Sequence, residues 1–321
     1  MFYFKDIFFT KSFCIELSMF LSKQKQCKKF MFFRVKKQKI NDFSLSGELK
    51  DEIDLFKQTL IDFNMMKVLV GLFVFFFGTV IGSFLNVCIY RIPRKISIVF
   101  PSSFCPSCNN PVPPQYNIPI FGYIMLFGKC KFCGEKISVR YPLVEFITGL
   151  AAFFCFISFS PLSVVIYFCF ISTLIVITFI DIDFQIIPDL LSLPGIVIGG
   201  VISYFVFGRS FLEIVVATVT GGGIFYVIGK SYELIAKREG LGGGDVKLMA
   251  FFGAFLGLKS IPFIVLVSSL SGTILGIYLM LVKGKDTKFA IPFGPFLSGA
   301  AVLYVFLGEW IISWYLSLLI R

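Results

Sequence analysis

The stretch Leu241-Gly242-Gly243-Gly244-Asp245-Val246-Lys247 joins a run of glycines to a carboxylate at the edge of an apolar segment. Glycine adopts backbone conformations closed to other residues and lets a second chain approach closely. An Asp beside a membrane-length apolar segment is costly, so it indicates a functional site. A second such Asp lies about one helix pair upstream, in Phe179-Ile180-Asp181-Ile182-Asp183-Phe184-Gln185-Ile186-Ile187-Pro188-Asp189. Because two carboxylates that share a proton in a poorly solvated site can activate water, we predict that the fold holds Asp181 and Asp245 together.

The composition is that of a membrane protein. Of the 321 residues, 57% are apolar and 18% aromatic, and the mean hydropathy is +0.87. These values exclude an ordinary soluble domain. The chain has no histidine, which excludes Ser-His-Asp and Cys-His catalysis and every His-ligated metal site. The net charge of +11 sits mostly in loops and in the N-terminal region, so we interpret it as a topology signal and expect no nucleic-acid partner.

Residues 1–66 differ from the rest of the chain. They are rich in charged residues and contain no apolar run long enough to cross a bilayer. A continuous apolar segment follows directly after Met65-Met66-Lys67. Two interpretations stay open: translation starts at Met65 or Met66, with 1–64 an untranslated extension or a poorly ordered arm, or residues 1–66 are a genuine amphipathic arm.

From Val68 onward the sequence predicts an all-α polytopic integral membrane protein with about eight transmembrane helices. Loop 91–140 carries seven Lys or Arg residues against Glu135 alone, so the positive-inside rule places it in the cytoplasm. Alternation then puts Asp181 and Asp245 at the cytoplasmic membrane boundary. The predicted spans are 68–90, 143–160, 162–180, 190–208, 211–229, 246–258, 261–282 and 296–320, of which 246–258 is short for a bilayer.

Two Cys-x-x-Cys pairs lie in the basic loop: Cys105 with Cys108, and Cys130 with Cys133. Each pair is typical of half of a zinc ribbon, and four thiolates close a tetrahedral site with no open position. The predicted role is structural, since a metal can fold a small loop domain that lacks enough core to fold alone. Disulfides are the competing interpretation, but thiols stay reduced in the cytoplasm, where the loop is predicted to lie.

The acidic residues also have simpler interpretations. Asp245 could cap the N-terminus of a helix that begins at Val246, and Asp189 could do the same for the helix at 190–208. Asp183 could be a solvated loop carboxylate. Transporters also keep acids within the membrane, for proton or cation coupling.

Six motifs occur in a fixed order over residues 67–300. They are Gly82-Ser83-Phe84-Leu85-Asn86-Val87-Cys88-Ile89-Tyr90-Arg91-Ile92-Pro93, the two Cys-x-x-Cys pairs, Arg140-Tyr141-Pro142-Leu143-Val144-Glu145, Asp181 with Ile187-Pro188-Asp189, Gly242-Gly243-Gly244-Asp245-Val246-Lys247, and Ile291-Pro292-Phe293-Gly294-Pro295-Phe296. Together, in this order, they resemble the motifs of the type IV prepilin peptidases.

The resemblance implies an aspartyl endopeptidase of the bacterial cytoplasmic membrane, with Asp181 and Asp245 as its catalytic pair and Asp183 as the replacement if the register differs. Its substrates would be type IV prepilins and pilin-like secretion or competence proteins (pseudopilins), cut after the Gly that ends a short basic leader. The remaining residues expected in the substrate or active-site loop are Gly242, Gly243, Gly244, Lys247, Asp183 and Asp189.

Many members of that family also methylate the new N-terminal residue with S-adenosylmethionine. The resemblance places this activity in the N-terminal region, with Gly82, Asn86, Arg91 and Glu145, although Asn86 and Glu145 also fit a role as interhelical hydrogen-bonding groups. We therefore expect three regions: 1–66 as the extension, 67–142 as the first span with the tetra-Cys loop, and 143–321 as the peptidase domain.

Three competing functions are open at this point. A different GxGD intramembrane protease would lack the tetra-Cys loop and the Gly82–Pro93 motif. An ion-coupled transporter predicts acids near mid-membrane and a repeat architecture. A structural scaffold, whose carboxylates are only caps, would be separated from an enzyme by activity alone.

Overall fold

The computed structural model describes residues 47–237, 242–283 and 292–319. The chain divides into two compact units, residues 1–66 and 67–321, and the account below concerns the second. The predictions about the start of translation fall largely on residues 1–46, outside the described part. The described residues contain no β-strand beyond two isolated bridges in the cysteine loop. The predicted all-α class is therefore confirmed for them.

Ten α-helices follow one another along the described chain. Residues that favour helix starts set several of their ends: Pro161 stands in the first turn of the fourth helix, and Ser210 and Glu213 form a reciprocal capping box at the start of the sixth. The helices are α1 Gly47–Arg91, α2 Phe121–Met125, α3 Arg140–Ser158, α4 Pro161–Phe184, α5 Asp189–Phe205, α6 Phe211–Ala236, α7 Gly243–Leu256, α8 Ser260–Lys283, α9 Gly294–Leu303 and α10 Glu309–Leu319, with a π-helical turn, Tyr304–Gly308, joining the last two.

Within the described part of the chain, six stretches are long and apolar enough to cross a membrane, so the chain is a multi-pass membrane protein. They are Met65–Arg91, Arg140–Ser158, Pro161–Phe184, Phe211–Ile235, Ser260–Val282 and Gly294–Leu318. The other two predicted spans correspond to α5, with 17 residues, and α7, with 14. At 1.5 Å per residue they extend about 26 and about 21 Å, short of a hydrocarbon core of about 30 Å. The predicted count of eight is thus not confirmed, although a helix stands at every predicted position.

Helix α7 lies inside the bundle, packed mainly against α6 and α5. Its side chains from Leu248 to Leu256 are almost all buried, and Leu248, Met249 and Phe252 are fully so. A helix that is apolar on all sides is stable only when it is surrounded by protein or lipid. Small residues allow the close packing, since a Cβ added at Gly221 of α6 would lie 2.5 Å from the Met249 carbonyl oxygen.

The C-terminal end of α7 is closed by Arg209, which precedes α6. Its guanidinium donates to the carbonyl oxygens of Phe255 (2.7 Å) and Leu256 (2.8 Å) and to Ser203 Oγ (2.9 Å). The last carbonyls of a helix have no partner within the helix itself. Because α7 ends inside the bundle, Arg209 supplies those partners, and the opposite end of α7 carries Asp245.

Candidate active site

Asp181 stands in the last turn of α4 with only 5% of its surface exposed. Its Oδ2 accepts a hydrogen bond of 2.9 Å from the backbone N–H of Gly294, the first residue of α9. The first amides of a helix lack partners within the helix and favour a nearby negative charge. A Cβ at position 294 would lie 2.7 Å from the same oxygen, so glycine is needed there for the carboxylate to sit where it does.

Asp245 occupies the first turn of α7, and the charge of Asp181 acts on it. Burial, and after it the negative charge of Asp181, raise the pKa of Asp245 to about 6. The structure therefore brings together the two carboxylates that the sequence singled out, although they are 64 residues apart. Two acids in such a relation can hold one shared proton between them.

The helix-cap interpretation of Asp245 is wrong about its position, although the Asp245 carboxylate does accept a hydrogen bond from the backbone N–H of Gly242. Helix α7 begins at Gly243, two residues before Asp245, and its N-cap is Gly242, whose position makes no side-chain capping bond. Asp189 is likewise the first residue of α5 and not its cap, which is Pro188. The Asp189 Oδ1 instead accepts a hydrogen bond of 2.7 Å from Lys247 Nζ. Because both side chains are substantially exposed, this pair contributes about 1 kcal/mol or less.

The three glycines before Asp245 have different surroundings. A Cβ at Gly244 would lie 2.8 Å from the Ile187 Cβ, whereas a Cβ at Gly243 would meet no atom of the described residues within 4 Å. Gly244 thus lets α7 approach the segment between α4 and α5, and Gly243 leaves open space beside Asp245. The expectation that glycine lets a substrate backbone approach fits Gly243 better than Gly244.

Asp183 is placed differently from Asp181 although both belong to the end of α4. Two residues along an α-helix rotate the side chain by about 200°, so the two carboxylates point to nearly opposite sides. Asp183 pairs with the guanidinium of Arg140, the first residue of α3. It is therefore a helix residue and an ion-pair partner, not a loop residue, although its carboxylate stays exposed to solvent.

The four residues that the resemblance assigned to methylation lie around the junction of α1 and α3. A Cβ at Gly82 would lie 2.7 Å from the Glu145 Cα, so the two helices touch there. Asn86 Nδ2 donates to the Tyr141 carbonyl oxygen (3.0 Å), and Glu145 Oε2 accepts from the Ile120 N–H (2.7 Å). Arg91 is occupied in holding the loop, since it donates to the carbonyl oxygens of Ser97 and Pro101.

A cavity of about 450 Å³ opens between this junction and the cysteine loop. Asn86, Arg91 and Glu145 line it, together with Arg140 and Asp183. Its volume falls within the range of small-molecule sites, about 300–1,000 Å³. Further lining residues are Tyr90, Arg94, Tyr116, Tyr123 and Lys131.

The four cysteines of the loop form one cluster. Their Sγ atoms all lie within 4.8 Å of one another, and Cys105–Cys133 and Cys108–Cys130 are separated by 3.9 and 4.0 Å. All four are free thiols, which favours a metal site over the disulfide interpretation. Zn–S bonds of 2.3 Å in a tetrahedron require S···S separations of about 3.8 Å, close to those observed.

The two halves of the cysteine loop have the same backbone geometry. In each half the first cysteine N–H bonds to the carbonyl five residues on, and its own carbonyl accepts from the N–H four residues on. The bonds are Cys105 to Asn110 and Asn109 to Cys105 in one half, and Cys130 to Glu135 and Gly134 to Cys130 in the other. The positive φ of Asn109 (56°) and Gly134 (71°) completes each turn.

Three residues matter more in the structure than the sequence indicated: Gly294, Arg140 and Arg209. Gly294 and Arg140 belong to motifs that were recognised only as part of an ordered set. The proline on each side of Gly294 was the available signal, because a Pro just inside a helix start marks that start. Arg209 carried no motif, and its role depends on where α7 ends.

Comparison with known proteins agrees with the order of motifs. Residues 76–159 match the profile of the bacterial peptidase A24 N-terminal domain, and residues 168–277 match that of the type IV leader peptidase family. The chain is 34% identical to a prepilin leader peptidase/N-methyltransferase of Aeromonas salmonicida over 76% of its own length and 93% of that protein's. The proteins of that name from Legionella pneumophila and Neisseria gonorrhoeae are 33% identical (78% of this chain, 95% of theirs) and 35% identical (69% and 85%). No solved structure matches the chain. With both profiles in order and this level of identity, the chain belongs to the type IV leader peptidase family.

Proposed function

We propose that the chain is a membrane aspartyl endopeptidase that removes the basic leader of type IV prepilins and pseudopilins after a Gly, and then methylates the new N-terminus. The observation that carries the peptidase assignment is the pairing of Asp181 and Asp245 at the adjoining ends of α4 and α7. Relatives that share a third of the sequence bear both activities in their names.

The proposed cleavage needs no covalent intermediate. One ionised carboxylate takes a proton from water while the other, protonated, donates to the scissile carbonyl oxygen. We assign the shared proton to Asp245, because burial and the charge of Asp181 raise its pKa, whereas the Gly294 N–H that donates to Asp181 favours the ionised form of that carboxylate. Asp181 then acts as the base, with one of its oxygens fixed by the Gly294 amide.

The open space at Gly243 supports a place for the substrate backbone. A chain running past this glycine would come beside Asp245, where any larger residue would narrow the approach. The charge of loop 91–140 supports a cytoplasmic position for this site in a bacterial inner membrane, because the loop contains seven basic residues and only one acidic residue. That side is where an uncleaved basic leader remains.

For methylation we propose the cavity between α1, α3 and the cysteine loop. S-adenosylmethionine supplies a methyl group on a cationic sulfur when it is bound. The residues present fit such a ligand: tyrosine rings offer faces to a cation and an adenine, Glu145 and Asn86 offer acceptors to an amine, and Arg94, Arg140 and Lys131 offer partners to a carboxylate. The chain's own part is to bind and orient the amine, and the Glu145 carboxylate is the group placed to accept its proton.

For the cysteine cluster we propose zinc in a structural role. Four thiolates with no fifth position hold the metal without leaving room for a reacting water. The two cysteine turns, or knuckles, at Cys105–Asn110 and Cys130–Glu135 bury little apolar surface of their own. Metal binding would therefore contribute much of the folding free energy of the loop. In that arrangement zinc shapes one wall of the cavity, which Cys105 and Cys130 line.

The test of the peptidase assignment is cleavage of a prepilin with a basic leader by the detergent-solubilised protein. Asp181→Asn and Asp245→Asn should each abolish cleavage while the variants stay folded, with an unfolding temperature no lower than that of wild type. Asp183→Asn is the matched control, since this carboxylate points away from the pair. Undiminished cleavage by Asp181→Asn would transfer the role to another acid, and no cleavage by folded wild type across several prepilins would refute the proposal.

A further inference from the structure

Two residues that line the cavity at the α1–α3 junction each carry a buried polar atom with no hydrogen-bond partner among the described residues. The two atoms are Asn86 Oδ1, an acceptor, and Arg140 Nε, a donor. Most buried polar atoms in proteins make a hydrogen bond, and a buried polar atom without one needs an explanation such as a missing ligand. An unpaired acceptor and an unpaired donor in the same cavity indicate a ligand that carries both functions.

The orientation of the Asn86 amide is set by its other end. Its Nδ2 donates to the Tyr141 carbonyl oxygen at 3.0 Å, and a carbonyl can only accept. A flipped amide would place two acceptors against each other, so Oδ1 is the atom turned away from Tyr141. Asn86 is only 3% exposed, so bulk water does not solvate this oxygen freely.

Arg140 uses only part of its guanidinium within the protein. Its Nη1 pairs with Asp183, which fixes the group at the cavity wall, while Nε has no partner in the described chain. The guanidinium is planar and its donors project in fixed directions, so the direction of the Nε–H follows from the ion pair. Arg140 directly precedes Tyr141, whose carbonyl oxygen anchors Asn86, and Arg140 and Asn86 both line the cavity.

We infer that this wall binds an α-amino group together with its neighbouring carboxyl or carbonyl oxygen. Asn86 Oδ1 accepts from the amino group and Arg140 Nε donates to the oxygen. This inference rests on the proposed function, under which two such groups enter the cavity: the amino-acid end of the methyl donor, and the new N-terminus of the cleaved polypeptide with its first carbonyl. The Glu145 carboxylate, also on the cavity lining, supports a positively charged amino group.

Four ligands distinguish whether the bound α-amino group belongs to the methyl donor or to the cleaved polypeptide. Their binding is measured by calorimetry on the purified full-length protein. S-adenosylhomocysteine is compared with 5′-methylthioadenosine, which lacks the amino-acid end. A short peptide with a free N-terminal amine is compared with its N-acetylated form. Loss of one hydrogen bond to a charged group weakens binding about 10- to 100-fold, so wild type should prefer one intact ligand to its truncated partner by at least about tenfold.

Arg140→Lys and Asn86→Ala should abolish that preference while leaving the affinity for the truncated ligand within about threefold. Lysine keeps a positive charge for Asp183 but lacks the Nε–H donor. The matched control is Arg209→Lys, the same exchange at a guanidinium that caps α7 outside the cavity, which should preserve the preference. The pair of ligands that shows the effect identifies the source.

Equal affinity of wild type for both members of both pairs would overturn the inference, and so would a preference that survives in both cavity variants. Prepilin cleavage is measured on the same wild-type preparation. A protein that cleaves prepilin but binds none of the four ligands keeps the peptidase assignment and loses this inference. A protein that shows the preference but cleaves no prepilin keeps the inference and loses the peptidase assignment.

Discussion

Replacement of Gly294 by alanine tests the contact that fixes Asp181. The added Cβ would lie 2.7 Å from Asp181 Oδ2 and 3.1 Å from Cγ. Ordinary van der Waals contact begins near 3.4 Å, so the carboxylate must retreat by about 0.7 Å. Such a retreat lengthens the 2.9 Å bond from the Gly294 N–H to as much as about 3.6 Å, which is no longer a hydrogen bond.

The expected cost falls on both folding and catalysis. A hydrogen bond to a charged acceptor contributes about 1.5–3 kcal/mol to stability, so its loss should lower the free energy of unfolding by about that amount. The clash itself is relieved by rotation of a side chain, because the nearest atom is a carboxylate oxygen. The carboxylate then leaves the position from which it would take a proton from water, and a misplacement of about 1 Å can cost about 100-fold in kcat/KM.

The assay is the initial rate of leader release from a prepilin segment in detergent, with thermal unfolding of the same preparations. Gly299→Ala is the matched control on the same helix, because a Cβ at that position meets nothing within 4 Å. It should cleave at the wild-type rate and gain up to about 1 kcal/mol from the better helix propensity of alanine. A Gly294→Ala enzyme that cleaves as fast as Gly299→Ala would refute the assignment of this contact to the reaction.

Three further outcomes are expected. Gly244→Ala should overpack against Ile187 and lower the free energy of unfolding by about 1–3 kcal/mol, and with it the unfolding temperature and the cleavage rate. Gly243→Ala should leave the unfolding temperature unchanged. Equal unfolding temperatures of the two variants would contradict the packing role of Gly244. The pKa of Asp245 is raised from 3.8 to about 6 by burial and by Asp181, so its contribution to stability is present below about pH 4 and is lost as pH rises through 6. Asp245→Asn should flatten that part of the stability curve and unfold at a higher temperature than wild type at pH 7; parallel curves from pH 4 to 7 would count against the raised pKa. Cys133→Ser should reduce bound zinc, measured by elemental analysis, from about one per chain to well below one, with Cys169→Ser as the control; an unchanged zinc content would remove the metal proposal.

Much of the architecture follows from local sequence signals. Runs of apolar residues place a helix at each of the eight expected positions, and the spacing of Cys105, Cys108, Cys130 and Cys133 predicts their cluster. These signals are local because a span is defined by its own residues and a knuckle by a single turn. The family motifs added the pairing of Asp181 with Asp245, which neither stretch shows by itself.

What the sequence could not provide depends on contacts between distant residues. The Gly294–Asp181 bond joins positions 113 residues apart, and nothing at either position indicates the other. The sequence marked α7 as short for a bilayer but could not show that protein surrounds it, because a helix enclosed by protein is as apolar as one enclosed by lipid. The partner of its C-terminal end, Arg209, became clear only from the structure.

The last turn of α4 connects the two proposed sites. Asp181 and Asp183 are about 3 Å apart along the helix axis and point to nearly opposite sides. Asp181 accepts a hydrogen bond from Gly294, and its charge raises the pKa of Asp245. Asp183 forms an ion pair with Arg140 at the cavity wall. An N-terminus released at the carboxylate pair thus has to pass only about one helix diameter, about 10 Å, to reach the cavity. Because one turn positions both sites, a change that displaces it should impair cleavage and methylation together, whereas a change at Asn86, on α1, should affect methylation alone.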